Sequence, residues 1–242
     1  GKIDLEGNLT FERDILLGSE SAGKFTYDEG VDFGSLNLRF YSENGKIYEK
    51  GYYENGNLKY IYELGIDGTL LKEYSYNGDD VEGISVVSTN KVLLVEERTK
   101  EVVEYDLSTK TYKKHKVIYS NNDSNSGLEG IAFNLNDKTI FVLNEKSPGL
   151  LMRLRADFSI IESYDLDFAS DYSGIFHDKE LNILWILSDQ SKTVNKCSLQ
   201  GVLIKSYPIN VIKAEGIAVT NTDIYIVSDS NSTLFKFNKP IE

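Results

Sequence analysis

The chain has 242 residues, with 38 Asp and Glu against 26 Lys and Arg and a formal net charge of −12. That balance excludes a nucleic-acid binder, whose phosphates call for clustered Lys and Arg; it favours a metal cation or a basic ligand, against the plainer account of acids that only keep a surface soluble. With 40% hydrophobic and 12% aromatic residues the chain can bury a sizeable core, and it reads as one domain over 1–242.

Short runs of Val, Ile, Leu, Tyr and Phe separated by Asn, Asp, Gly and Ser predict strands throughout, and no long amphipathic helix is visible. No apolar run reaches the ~18 residues of a membrane span. The start at Gly1, without Met or a leader, reads as a mature or trimmed form. Residues 1–10 carry a Gly-Asn turn and are expected to supply a strand to the C-terminal end of the chain. In 11–33, the Gly-Ser-Glu-Ser-Ala-Gly run at 18–23 reads as a loop and the remainder as strands of an additional unit. Residues 34–77 predict strands at 38–41, 46–50, 59–64 and 69–74, with Asn-Gly at 44–45, 55–56 and 77–78 and Asp-Gly at 67–68 as hairpin signals. Within them, the tandem Tyr-Glu-Asn-Gly-like elements of 42–63 read as surface ribbons.

A repeat then sets in. An acidic residue followed by Gly and Ile opens a strand, a turn leads to a second apolar strand, and another acid closes it. Glu82-Gly83-Ile84 leads to 92–95 and Glu97; Glu129-Gly130-Ile131 to 140–143 and Glu145; Ser173-Gly174-Ile175 to 184–187 and Asp189; Glu215-Gly216-Ile217 to 224–227 and Asp229. Third and fourth strands follow at 101–106 and 112–118, at 150–155 and 159–166, and at 193–198 and 202–207. A unit of roughly 40 to 45 residues made of short strands is the mark of a β-propeller blade. The predicted fold is therefore all-β: five four-stranded blades, alternatively six. They comprise a degenerate first blade at 34–77, regular blades at 78–122, 126–168 and 170–208, and a last blade at 211–242 that is one strand short. An N-terminal strand completes it, closing the ring by pairing the two chain ends and leaving no open edge there.

The chemistry lies in the repeated acids, which converge on the axis of a propeller. Glu82, Glu129 and Glu215 facing one another repel unless a cation sits among them. Calcium suits an oxygen-only ring drawn from several blades, magnesium wants stricter octahedral order, and zinc is disfavoured with His115, His177 and Cys197 as the whole His and Cys supply. Glu97, Glu145, Ser173, Asp189 and Asp229 are further candidates for the same channel mouth. The competing account makes the glutamates locks between blades, accepting backbone N–H bonds or pairing with Arg98, Lys146 or Arg153. His177 reads as a turn residue, Cys197 as a buried structural thiol, and the blade glycines as close-packing positions. No phosphate-binding glycine loop, Gly-x-Ser-x-Gly elbow or His-Glu-x-x-His motif is present.

Val-Glu-Gly-Ile at 81–84, Val-Glu-Glu-Arg at 95–98, Gly-Leu-Glu-Gly-Ile-Ala-Phe at 127–133, Asn-Glu-Lys-Ser-Pro at 144–148, Tyr-Ser-Gly-Ile at 172–175, Leu-Ser-Asp-Gln-Ser at 187–191 and Ala-Glu-Gly-Ile-Ala-Val at 214–219 with Tyr-Ile-Val-Ser-Asp at 225–229 stand in an order and spacing that resemble the SdiA-regulated, YjiK-like bacterial propellers. The resemblance covers 56–238 well and 34–55 loosely. It implies a protein of the cell envelope, periplasmic or secreted, without an established biochemical activity, and a distant similarity to calcium-dependent lactonase and gluconolactonase-type propellers that hold a metal in the channel. The expected function is binding of a small ligand or partner protein by a monomer, with a calcium ion in the channel. A calcium-dependent lactonase- or esterase-like hydrolase and a purely structural module are the alternatives.

Overall fold

The second strand of each repeat is an unbroken apolar run because it is covered on both faces. In Lys91–Glu96, Ile140–Asn144, Ile183–Ser188 and Asp223–Ser228 every position is buried except the opening residue of the first and last. The outermost strands of three of the blades face water instead: Thr111–Lys116, Ile160–Asp165 and Leu203–Pro208 are exposed or half-exposed almost throughout. That gradient from apolar centre to polar rim is what a blade packed between two neighbours requires.

This computed structural model describes residues 2–3, 9–10, 13–16, 46–50, 53–54, 57–65, 70–120, 126–228 and 233–240, with side chains at 61–63, 71–120, 126–228 and 234–240. These residues form a β-propeller arrangement with four regular four-stranded blades and no helix. Among the described residues, then, no helix is long and apolar enough to cross a membrane. Blade 1 comprises Val81–Ser88, Lys91–Glu96, Glu101–Asp106 and Thr111–Lys116; blade 2 comprises Leu128–Phe133, Ile140–Asn144, Leu150–Leu154 and Ile160–Asp165. Blade 3 comprises Gly174–Asp178, Ile183–Ser188, Thr193–Cys197 and Leu203–Pro208. All are antiparallel meanders, and their first strands pack against one another in the order of the chain.

Blade 4 has three strands of its own, Ala214–Val219, Asp223–Ser228 and Thr233–Asn238, and its fourth is N-terminal. The strand differs from the one expected. Arg13–Leu16 pairs with Thr233–Lys236, setting Ile15 opposite Leu234, whereas Lys2–Ile3 and Leu9–Thr10 hydrogen-bond to each other and so are not the added strand. A further sheet precedes blade 1: Asn57–Gly65 pairs with Lys46–Lys50 and Tyr53–Glu54 and, on its other edge, with Leu70–Asp79. The expected strand at 38–41, the loop at 18–23, and with 17–45 the count of five or six blades and the closure of the ring, lie outside the described residues.

Each seam holds its own apolar layer. Leu93 and Val95 of blade 1 pack with Ile131, Val142 and Met152 of blade 2; Phe141 and Leu143 with Ile175, Leu184 and Ile186 of blade 3; Trp185 and Leu187 with Ile217, Ile226 and Phe237 of blade 4. Ile61, Tyr74 and Tyr76 of the preceding sheet pack with Val92, Leu94 and Tyr105. Successive residues of one strand thus serve opposite seams, and each fully buried side chain of this size contributes about 1.5–3 kcal/mol. Where the first strands meet, side chains give way to backbone. A Cβ on Gly83 would stand 2.9 Å from the Glu129 carbonyl oxygen, and one on Gly174 would stand 3.1 Å from that of Glu215.

Candidate functional site

The glutamate of the Glu-Gly-Ile entry is an extra residue in its strand. Val81 and Gly83 pair with Glu96 and Val95, Leu128 and Gly130 with Asn144 and Leu143, Ala214 and Gly216 with Ser228 and Val227, so Glu82, Glu129 and Glu215 each occupy a β-bulge. A bulge breaks the strict alternation of a strand and re-aims one side chain. It lets three acids point to the propeller mouth while Ile84, Ile131 and Ile217, two residues on, serve the apolar seams.

The closing acids reach the same place by another route. Glu97 and Asp189 begin four-residue turns, in which Lys100 N–H donates to the Glu97 carbonyl and Lys192 N–H to the Asp189 carbonyl, at 3.2 Å each. Entry and closing acids therefore line one cup of about 300 Å³, formed by Glu82, Glu97, Glu129, Glu145, Asp171, Ser173, Asp189, Gln190 and Glu215. Every described residue among the eight expected at the mouth is there; Asp229 lies outside the described residues. Beside the cup, Gly83, Gly130, Gly174, Gly216 and their neighbours line a second, smaller space of about 10 Å³, room for about a single water.

The cup is asymmetric. On the side of blades 1 and 2, carboxylate oxygens of Glu97, Glu129 and Glu145 all lie within 4.8 Å of one another. Burial, with the charges of Glu82, Asp80 and Glu145 and a hydrogen bond with Asp80, pushes the Glu97 carboxyl up to about 7. Glu129 belongs to this close group; Glu82, itself 8% exposed, and Glu215 line the same cup.

On the other side the polar groups bond to the protein. Ser173 Oγ donates to the Ala214 carbonyl at 2.6 Å, and Asp189 Oδ1 accepts from Ala214 N at 2.9 Å and from Lys192 Nζ at 2.6 Å. Asp171 Oδ1 accepts from Ser188 Oγ and, at 3.0 Å, from Gln190 N. Ser173 and Asp189 are thus the locks between blades 3 and 4. Of the basic residues expected to pair with the mouth acids, Lys146 does so, its Nζ 2.5 Å from Glu145 Oε1. Arg98 bonds Asp79 and Asp80 at 2.9 and 3.1 Å, and Arg153 bonds Asp137 at 2.5 Å.

Sequence reading passed over two sets of residues. Asp171 stands two positions before Ser173, as Asp80 stands before Glu82, so an acid recurring at that offset was the available signal. The other set precedes the closing acid: Glu96, Asn144, Ser188 and Ser228 are 0%, 0%, 0% and 1% exposed. Glu96 accepts from Tyr76 Oη at 2.7 Å, Asp79 N at 2.9 Å and Lys114 Nζ at 2.6 Å. Asn144 donates to the Lys146 and Pro148 carbonyls at 3.0 and 2.7 Å, and Ser228 Oγ to the Ile212 carbonyl at 2.6 Å. These buried groups fix the turns that carry the acids. Three residue types fill the four positions, with Ser shared by two blades, so no single letter marks the position.

The donor set is oxygen-only, which fits a hard divalent cation and not zinc. His115 sits on the outer strand of blade 1, and His177 at the far end of the blade 3 first strand, 5% exposed, with Nε2 3.3 Å from Asn182 Oδ1. Cys197 is fully buried against blade 2, and burial pushes its thiol up to about 12, as befits a structural side chain.

Comparison with known proteins adds the following. The sequence model of a family described as SdiA-regulated matches residues 54–238. Among solved structures, the glutaminyl cyclase of Myxococcus xanthus superposes with a TM-score of 0.62 at 10% identity, covering 86% of this chain and 92% of that one. A chain of the nidogen/laminin complex gives 0.61 at 10% identity, covering 84% and 75%. A streptogramin B lyase gives 0.53 at 18% identity, covering 87% and 72%. At such identities the likeness is one of fold.

Proposed function

The chain belongs to the SdiA-regulated family, whose model matches residues 54–238, and we propose that it is a ligand-binding β-propeller holding a calcium ion in its acidic cup. The observation that carries this reading is the approach of Glu97, Glu129 and Glu145 oxygens to within 4.8 Å in a half-buried site. Like charges so placed repel, and a cation among them turns the repulsion into coordination. Calcium accepts carboxylates, carbonyls and water in loose geometry, which suits ligands from separate blades. An open cup of this kind fits a compartment rich in free calcium such as the cell envelope, where modules bind at about 10⁻⁴ to 10⁻³ M. The ion would leave positions for an oxygen-bearing ligand entering from the mouth.

Chelation is the test. Removing divalent ions from the purified protein should lower its melting temperature and restoring calcium should raise it, since a ligand that binds only the folded form stabilises it by about 2.7 kcal/mol at a hundred times its Kd. Glu129→Gln and Glu145→Gln should abolish that shift. Absence of bound metal together with indifference to chelation would sink the reading.

One observation favours a second reading, a calcium-dependent hydrolase of lactones or esters. The cup is open, and a calcium ion held by Glu97, Glu129 and Glu145 would leave a position for a water that it activates. In that case Glu129→Gln removes turnover in a lactone and ester screen along with calcium binding. The binding reading expects no turnover from any of these proteins.

A further inference from the structure

Glu145 carries a cation already. The Lys146 ammonium lies 2.5 Å from Glu145 Oε1, an ion pair at the rim of the cup. Its backbone cannot move far, because Asn144 Nδ2 donates to the Lys146 carbonyl at 3.0 Å and to the Pro148 carbonyl at 2.7 Å. Its side chain can, being 39% exposed.

We infer that Lys146 is a tethered counter-ion of the cup, holding the Glu145 carboxylate in the absence of metal and having to be displaced before a divalent cation can bind there. The inference rests on the cation reading of the cup and adds its regulation. A fixed ammonium next to three crowded carboxylates relieves their repulsion and keeps the empty site folded. It also sets the affinity low, because the incoming ion must break an ion pair before making its own bonds. Lys192 is placed differently: its partner Asp189 is also bonded to Ala214 N across the blade 3–4 seam and stands outside the group of three close carboxylates.

Calorimetric titration of calcium into the whole protein tests this. Lys146→Met keeps the length of the side chain and removes its charge, and is expected to bind calcium roughly three- to tenfold more tightly, the scale of one half-exposed ion pair no longer broken. Lys113→Met, on the outer strand of blade 1, removes the same charge elsewhere and should change affinity by less than about twofold. Equal affinity in Lys146→Met and the unaltered protein, or equal tightening by both lysine variants, overturns the inference. If calcium binds and Glu145→Gln weakens it while Lys146→Met does not strengthen it, the cation site stands and the counter-ion falls. No binding by any of the proteins removes the cation reading itself and the inference with it.

Discussion

Burial holds two titratable side chains in this protein away from their ordinary values, in opposite directions. Glu97 is buried among other acids, whereas His177 is buried with one ring nitrogen 3.3 Å from Asn182 and the other without a hydrogen-bond partner among the described residues. Burial holds His177 below the ordinary imidazole value despite the Asn182 bond and the nearby Asp137 and Asp178. With the folded value lowered, the unfolded chain takes up the proton first. The contribution of His177 to stability is complete above about 6.5 and is lost as pH falls below it. We therefore expect this contribution to lower the melting temperature in chelator between pH 7 and pH 5, and His177→Gln to remove that part of the change, with Glu97 acting in the opposite sense over the same window. Glu97 has the reverse sign. Its raised value favours the protonated fold below 4.5, a contribution lost as pH rises through about 7. A scan in which His177→Gln leaves the acid limb unchanged would show that this histidine is not its source.

At the scale of elements, the bulge and the glycine after it act together. The bulge turns Glu82 to the mouth, and Gly83 lets the first strands of blades 1 and 2 approach backbone to backbone. Gly83→Ala would set a methyl 2.9 Å from the Glu129 carbonyl oxygen and from Val95 Cγ2. Overpacking of this kind costs about 1–3 kcal/mol, which denaturant titration would read directly. If the cup holds calcium as proposed, the variant should also weaken that binding, since the blocked strand carries Glu129; a protein as stable as the original would refute the close-packing role.

The repeat was legible because the same physical demands recur: an apolar run covered on both faces and a glycine where strands meet in four blades, and a bulged acid in three of them. Glu82, Glu129, Glu215, Glu97, Glu145, Ser173 and Asp189 could be named together for that reason. What was not legible depends on particular partners. Ser173 and Asp189 lock a seam because Ala214 happens to present both an N–H and a carbonyl to them. Asn144 and Ser188 do one task with different chemistry, and Arg13–Leu16 is too short, and too far in sequence from Thr233–Lys236, for any local pattern to announce the pairing.

For the whole molecule, the seams decide how blades hold together. The seam between blades 3 and 4 has a buried bolt besides its apolar layer: Lys239 Nζ lies 2.6 Å from Asp178 Oδ2, with side chains 9% and 5% exposed. Trp185 Nε1 donates to the same carboxylate at 3.2 Å. Although burial opposes the charge, these bonds and the Leu181 amide hold Asp178 below the ordinary carboxylate range. Lys239→Met leaves that carboxylate buried without its cation and is expected to cost about 3–5 kcal/mol. At roughly 2–4 °C per kcal/mol for a chain of this size, the melting temperature should fall by on the order of 10 °C. A shift of a degree or less would mean that this ion pair adds nothing to the seam.

The glycines beside the cup give it a floor of bare backbone. Among the described residues, the space between Gly83, Gly130, Gly174 and Gly216 holds about a single water, so an occupant of the acidic cup faces peptide groups on that side and not side chains. Its fit there is then set by how closely the first strands of the blades are spaced. A change in that spacing would reshape the floor without touching a single carboxylate.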